Sequence, residues 1–323
     1  LRIGWVGFHE EGVRALRAVV EAGHEVVGVL TLRPKLAKRR SAATDYGPLC
    51  EALGIPVFYV KNINDLESVA ELRRLDLDLC VVLGWSQILR REALACARLG
   101  TVGAHASYLP HNRGSAPVNW AILRGESRTG NTLMWLSEGV DEGQIVAQRA
   151  FPITPFDTCA SVYEKVAATN GEMVLELIQK LEQGERPATP QPPTRETILP
   201  RRRPEDGEID WSLPAREIYD FIRGLTRPYP GAYSFRAGEK LTVWKVALLP
   251  SREDSWKTGQ VVGPALSPEQ NACGQVVQAI GGRLLLLEIE DEQGQVLAGQ
   301  ALASKQWHGT QFLSSGTAKR VAA

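Results

Sequence analysis

The chain has 323 residues, and at about 150 residues per domain that length predicts two domains, each large enough to bury its own core. Hydrophobic residues make up 44% and charged residues 23%, which excludes a disordered, collagenous or coiled-coil chain. Lys plus Arg equals Asp plus Glu at 37 each, so net charge gives no global case for a nucleic-acid or membrane-surface protein. The five cysteines, Cys50, Cys80, Cys96, Cys159 and Cys273, are odd in number and far apart, which does not suit a disulfide framework and predicts a reducing, cytoplasmic setting. No apolar stretch approaches the ~20 residues of a membrane span. The start runs into a strand pattern rather than a signal peptide, and the lack of an initiator Met reads as a trimmed beginning.

From residue 2 to residue 83, short β-branched runs (2–6, 25–31, 56–60, 77–83) alternate with amphipathic segments (11–22, 46–53, 64–74). Strands alternating with helices predict right-handed crossovers and a Rossmann-like, doubly wound parallel sheet. Ligands of such sheets lie beyond the carboxyl ends of the strands. Gly4, Gly7 and Gly12 do not make Gly-x-Gly-x-x-Gly, so they read as tight turns and a close helix approach rather than a dinucleotide site. A further strand over 101–105 leads into a Pro- and Gly-punctuated loop and a short helix near 118–123. Residues 131–136 and 144–150 read as a hairpin joined by a Gly-rich turn. A long helix then starts at Asp157 or Thr158 and ends at Gly184.

Prolines at 187, 190, 192, 193, 200 and 204 change the composition sharply and predict an extended linker. The expected divisions are a catalytic domain over 1–190, a linker over 191–204, a small OB-like β-barrel over 205–310 and a tail over 311–323. The barrel expectation rests on a helix near 214–223 followed by six short strand patterns, 232–236, 241–249, 258–263, 274–279, 283–288 and 295–299.

Two residues carry the chemical signal. His105 ends a predicted central strand and Asp141 sits at the hairpin tip, and if they meet, the carboxylate would orient the imidazole, favour its charged form and poise a base near neutrality. Each also has a plainer reading, His105 as a capped structural histidine and Asp141 as a turn former. Neither these residues nor the cysteines show metal-ligand spacing.

The block His105-Ala106-Ser107-Tyr108-Leu109-Pro110-His111-Asn112-Arg113-Gly114-Ser115-Ala116-Pro117, then Gly125-Glu126-Ser127-Arg128-Thr129-Gly130, then Gly139-Val140-Asp141-Glu142-Gly143 resembles, in order and spacing, the signature of the formyltransferases that use 10-formyltetrahydrofolate. Ile209-Asp210-Trp211, Arg223 and Pro228-Tyr229-Pro230-Gly231-Ala232 look like the entry to that family's C-terminal barrel, so nearly the whole chain is covered. The resemblance implies acyl transfer from 10-formyltetrahydrofolate to a primary amine. His105 and Asp141 would be catalytic with Gly103 and Ser107 beside them. Leu83, Gly84, Trp85, Gln87, Ile88, Leu89, Val140 and Gly143 would grip the pterin, and Arg113, Gly114 and Pro117 would shape the substrate floor. Lys38 and Arg39, in a basic loop at the ligand edge of the sheet, are candidates for a phosphate-bearing substrate.

An amino-sugar nucleotide or similar small amine is the expected acceptor, with methionyl-tRNA formylation, formyltetrahydrofolate hydrolysis and non-catalytic folate binding as rivals. A tRNA partner stays open through the first of these, a membrane partner is not expected, and a homodimer is left open. One departure stands out: many family members place an Asn where this chain has Gly103, and losing one oxyanion donor typically costs ~10²–10³ in rate. Gly103 is expected to leave room for a water or a backbone amide instead.

Overall fold

The alternating pattern of the first half folds, in the computed structural model, into a seven-stranded sheet: β1 (Arg2–Val6), β2 (Glu25–Leu32), β3 (Val57–Val60), β4 (Leu77–Val82), β5 (Ala97–His105), β6 (Arg128–Trp135) and β7 (Ile145–Pro152). The structure describes residues 1–195, 197–251, 255–267 and 272–314. The strand order is β3-β2-β1-β4-β5-β6-β7, parallel through β5 and antiparallel for the last two pairings. The central strands read as unbroken apolar runs because both faces are covered: Ile3, Trp5, Leu79 and Val81 are fully buried. The order reverses between β1 and β4, and in sheets of this kind the crevice beyond the carboxyl ends at such a reversal is the usual ligand position.

Helices α1 (Glu10–Glu21), α2 (Pro34–Ala37), α3 (Tyr46–Leu53), α4 (Leu66–Arg74), α5 (Arg91–Leu94), α6 (Pro117–Leu123) and α7 (Cys159–Glu182) follow the strands. α1 buries Gly12, Ala15, Leu16 and Val19, the one face that a helical period allows. It begins one residue earlier than its pattern suggests because the His9 ring accepts the Glu11 N–H as N-cap. Gly7 and Gly12 serve close packing: a Cβ on Gly7 would lie 2.5 Å from the Leu83 carbonyl, and one on Gly12 2.5 Å from the Tyr46 hydroxyl. That hydroxyl donates to the His9 carbonyl and is pushed far up in pKa by burial, then by the Glu11 charge. Four-residue α2 and α5 went unread, since so short a segment displays no periodicity.

By its internal packing the chain forms two units: the first holds residues 1–118, 128–152 and 161–201, the second residues 119–127, 153–160 and 202–323. The second unit carries α8 (Ala215–Leu225) and an antiparallel sheet of β8 (Ala232–Arg236), β9 (Glu239–Leu249), β10 (Val261–Ala265), β11 (Gly274–Ala279), β12 (Gly282–Glu290), β13 (Val296–Ala298) and β14 (Phe312–Leu313), with α9 (Gly299–Ala303) after β13. The order is β10-β11-β12-β9-β8-β14, and a bridge between Gln260 and Gln311 joins its two ends, so the sheet curls onto itself as a small barrel. Its core packs Ile218 and Ile222 of α8 against Val243, Leu284 and Phe312. Of the expected tail, residues 311–314 carry β14, and residues 315–323 lie outside the described residues.

Candidate active site

His105 is the last residue of β5, opposite Thr132 of β6, and its side chain is only 8% exposed. Its Nε2 lies 2.8 Å from the Asn112 carbonyl. A carbonyl can only accept, so Nε2 carries a proton and donates, which leaves Nδ1 as the basic nitrogen. Nδ1 faces Asp141 Oδ2 at 3.5 Å. Both of those atoms are acceptors unless a proton stands between them, so the pair is a place for one proton. The separation exceeds a formed hydrogen bond.

The hairpin turn brings Asp141 here with a backbone φ of +51°, a left-handed conformation uncommon for a side-chain-bearing residue. Asp141 Oδ2 also accepts the Gly114 N–H at 2.8 Å, so the turn and the 107–117 loop are joined through the carboxylate itself. That loop is fixed by its own bonds. The Ser107 N–H donates to the His105 carbonyl at 2.7 Å, and the Ser107 hydroxyl donates to the His111 carbonyl at 2.7 Å. The Ser107 carbonyl in turn accepts the Thr132 hydroxyl at 2.7 Å. Pro117 opens α6, where its missing N–H costs nothing.

Gly103 does not leave the open space expected for a water. A Cβ there would meet Leu136 Cδ2 at 2.8 Å, because the leucine side chain folds over the strand at that point.

Of the residues assigned to the pterin, Leu83 and Leu89 are core side chains. Gln87 is spent on the backbone of a neighbouring loop, donating to the Lys61 carbonyl and accepting the Ile63 N–H. Gly84 has a φ of +62° and presses so closely on the β1–α1 turn that a Cβ would lie 2.3 Å from His9 Cβ. Trp85 stacks edge-on against Phe8 and keeps a buried indole N–H that has no acceptor among the described residues, while Ile88 is exposed. Val140 and Gly143 flank Asp141 in the turn. Lys38 and Arg39 are exposed just after α2, and Arg113 lends its carbonyl to the Leu199 N–H.

Sequence reasoning missed Asn112, Leu136, Gln191 and Leu199. The Gln191 amide nitrogen donates to the carbonyls of Asp141 and Gly143, and Leu199 pairs with the loop around Gly114. None of the four carries a local signal, since each acts through its backbone or from a distant stretch of chain. Among the described residues no helix is long and apolar enough to cross a membrane.

A family profile described as formyl transferase matches residues 9–178, and one described as formyl transferase, C-terminal domain, matches residues 202–306. Among relatives, the methionyl-tRNA formyltransferase of Symbiobacterium thermophilum is 38% identical over 293 residues, covering 90% of this chain and 88% of that one. That of Moorella thermoacetica is 33% identical over 303 residues, covering 93% and 95%. Among solved structures, HypX from Aquifex aeolicus in complex with tetrahydrofolic acid superimposes with a TM-score of 0.66 at 22% identity, and this chain spans 50% of its length. The N-formyltransferase from Helicobacter canadensis, in complex with folinic acid and dTDP-3-aminofucose, gives a TM-score of 0.64 at 18% identity over 88% of this chain and 98% of that one. At these identities the two structures share the fold.

Proposed function

The chain belongs to the formyl transferase family, and from that premise we propose that it moves a formyl group from 10-formyltetrahydrofolate to the amino group of an aminoacylated tRNA, with His105 and Asp141 as the proton-handling pair. The observation that carries the chemistry is the meeting of strand end and hairpin tip, His105 Nδ1 against Asp141 Oδ2. The residues near the ligand edge fit the donor: a buried indole N–H without an acceptor at Trp85 and an exposed apolar Ile88 suit a heteroaromatic ring that bears acceptor atoms.

When bound, 10-formyltetrahydrofolate supplies an activated formyl carbon and a nitrogen able to leave. The proton shed by the attacking amine is received at His105 Nδ1, where Asp141 stabilises it, and passed to the departing nitrogen. One C–N bond forms as the other breaks, and the proton moves from the amine that gains the formyl group to the nitrogen that loses it. Nε2 meanwhile stays bonded to the Asn112 carbonyl and keeps the ring from turning.

The choice of a tRNA acceptor is supported by the full-length similarity to methionyl-tRNA formyltransferases. A second support is the loop after β2. It holds Arg33, Lys35, Lys38, Arg39 and Arg40 with no acidic residue between Arg33 and Thr44, a local cationic segment in a chain whose net charge is zero as a whole. The test supplies 10-formyltetrahydrofolate with methionyl-tRNA, with amino-sugar nucleotides or with no acceptor, and follows tetrahydrofolate release. Release with methionyl-tRNA alone is expected. Release only with an amino-sugar nucleotide would transfer the assignment to a small amine, and equal release without an acceptor would make the protein a hydrolase.

A further inference from the structure

The Pro-rich segment after α7 has the composition of a free linker, yet it returns across the first unit, where the Pro187 carbonyl accepts the Trp135 indole N–H and three further anchors follow. Thr189 and Ile145 exchange backbone hydrogen bonds of 2.7 and 2.8 Å at the start of β7. Gln191 Nε2 donates to the Asp141 carbonyl at 2.8 Å and to the Gly143 carbonyl at 2.9 Å, holding the hairpin turn at the residue that carries the carboxylate and two residues beyond it. The Leu199 N–H donates to the Arg113 carbonyl at 2.7 Å, and its carbonyl accepts the Ser115 N–H at 3.1 Å. Between the last two anchors Pro192, Pro193, Arg195, Thr197 and Ile198 are exposed, whereas Leu199 is buried.

Those anchors fall on the two arms that must meet for the site to exist. Gln191 holds the turn that carries Asp141, Leu199 holds the loop that carries Gly114, and the Gly114 N–H bonded to Asp141 Oδ2 closes the circuit. The fit is close: a Cβ on Gly114, whose φ is +114°, would lie 2.5 Å from the Leu199 carbonyl oxygen. Asp141 also sits in a left-handed conformation that persists only where surrounding bonds impose it, and the Gln191 amide supplies two. Among the described residues the buried Gln191 side-chain oxygen has no partner, and the bonds to the turn are made by the amide nitrogen. Pro190, Pro192 and Pro193 flank Gln191 and have no N–H that asks for a partner.

We propose that the anchored residues Thr189, Gln191 and Leu199 act together as a strap that sets the spacing of His105 and Asp141, with Gln191 as a positioning residue for the carboxylate. The strap follows from the bonds themselves, while its consequence for turnover rests on the formyl-transfer reading of the site.

The test compares the wild-type chain with Gln191→Met, which keeps length and removes both donors, and with Gln191→Glu, which keeps shape and removes the donors. Amide hydrogen exchange at 113–115 and 139–145 is followed by mass spectrometry alongside kcat and KM. In both variants exchange at Gly114 and Ser115 should accelerate about tenfold or more while α1 and α3 keep their protection. kcat should fall about tenfold to a hundredfold with KM nearly constant, the signature of misplaced catalytic groups. Unchanged exchange at 113–115 would overturn the strap, and faster exchange with unchanged kcat would overturn the positioning role. If the wild-type chain transfers formyl to no acceptor, the functional reading falls, and the exchange data still decide whether the strap holds the two arms.

Discussion

Replacing Asp141 by Asn separates the two tasks of its carboxylate. The amide oxygen of Asn can still accept the Gly114 N–H, so the 107–117 loop keeps its anchor, and what is lost is the charge 3.5 Å from His105 Nδ1. Two unit charges at that distance interact by ~5 kcal/mol at an effective dielectric of about 20. The Asp141 side chain is 22% exposed, so solvent screens part of this. A loss of ~2–3 kcal/mol, or about 10²-fold in kcat, is the expected size. Because the positive charge on the imidazole is needed as the amine sheds its proton, KM for donor and acceptor should hardly move. Asp141→Ala removes the Gly114 acceptor as well, leaving a part-buried N–H unmet at a further cost of ~1–3 kcal/mol, and should lower both kcat and Tm. The assay is steady-state tetrahydrofolate release with His105→Ala as reference. If Asp141→Asn keeps activity near that of the wild type while His105→Ala is inactive, the carboxylate is only a loop anchor and the proton-handling argument fails.

Gly103→Asn should not raise kcat by the ~10²-fold that a gained oxyanion donor gives, because Leu136 fills the space above the strand; Asn should lower Tm, and adding Leu136→Ala should recover it. Tetrahydrofolate at about 100 times its Kd should stabilise the chain by ~2.7 kcal/mol in thermal melts, and Trp85→Phe should weaken that effect by removing the unmet indole N–H. Burial pushes the Cys50 thiol up to about 11 and those of Cys80 and Cys159 to about 12. Their pKa values are raised in the folded state, so the stability they contribute is intact below the unfolded thiol range and is lost as pH rises from there toward 11–12, at ~1.4 kcal/mol per pH unit per thiol. Tm should therefore fall steadily above about pH 9, and native chain at pH 8 should leave these three unlabelled by a thiol reagent. In the second unit, Asp220→Ala should cost ~3–5 kcal/mol in urea unfolding, since it strands the buried Arg223 guanidinium that Asp220 neutralises. A cost near zero would show that the carbonyls of Thr154 and Asp157, which Arg223 also reaches, suffice on their own.

Local pattern alone determined a good deal of this protein. The apolar runs of β1, β2 and β4, the face of α1 and the hairpin of β6 and β7 were legible because strand and helix periods are written in consecutive residues. A strand end and a hairpin turn put His105 and Asp141 in view, but position alone left each with a plainer reading, and it was the resemblance of the 105–143 block to a family signature that singled them out. What lay outside that reading depends on the path of the chain. No pattern near His105 says that the Asn112 carbonyl accepts a hydrogen bond from its Nε2 and so leaves Nδ1 as the nitrogen without a proton. Nor does any local pattern say that Leu136 covers Gly103. The two-residue β14 exists only through its pairing with β8. Gln191 acts on a carbonyl 50 residues away, from a stretch whose composition describes a linker. Composition reports the conformation a segment prefers, extended in this case, whereas its partners are set by where α7 ends and where the turn and loop of the site leave carbonyls and N–H groups open. Tertiary structure decided which atoms of the site are free to react, because hydrogen-bond partners distant in sequence are chosen by the folded path and not by the residues beside them.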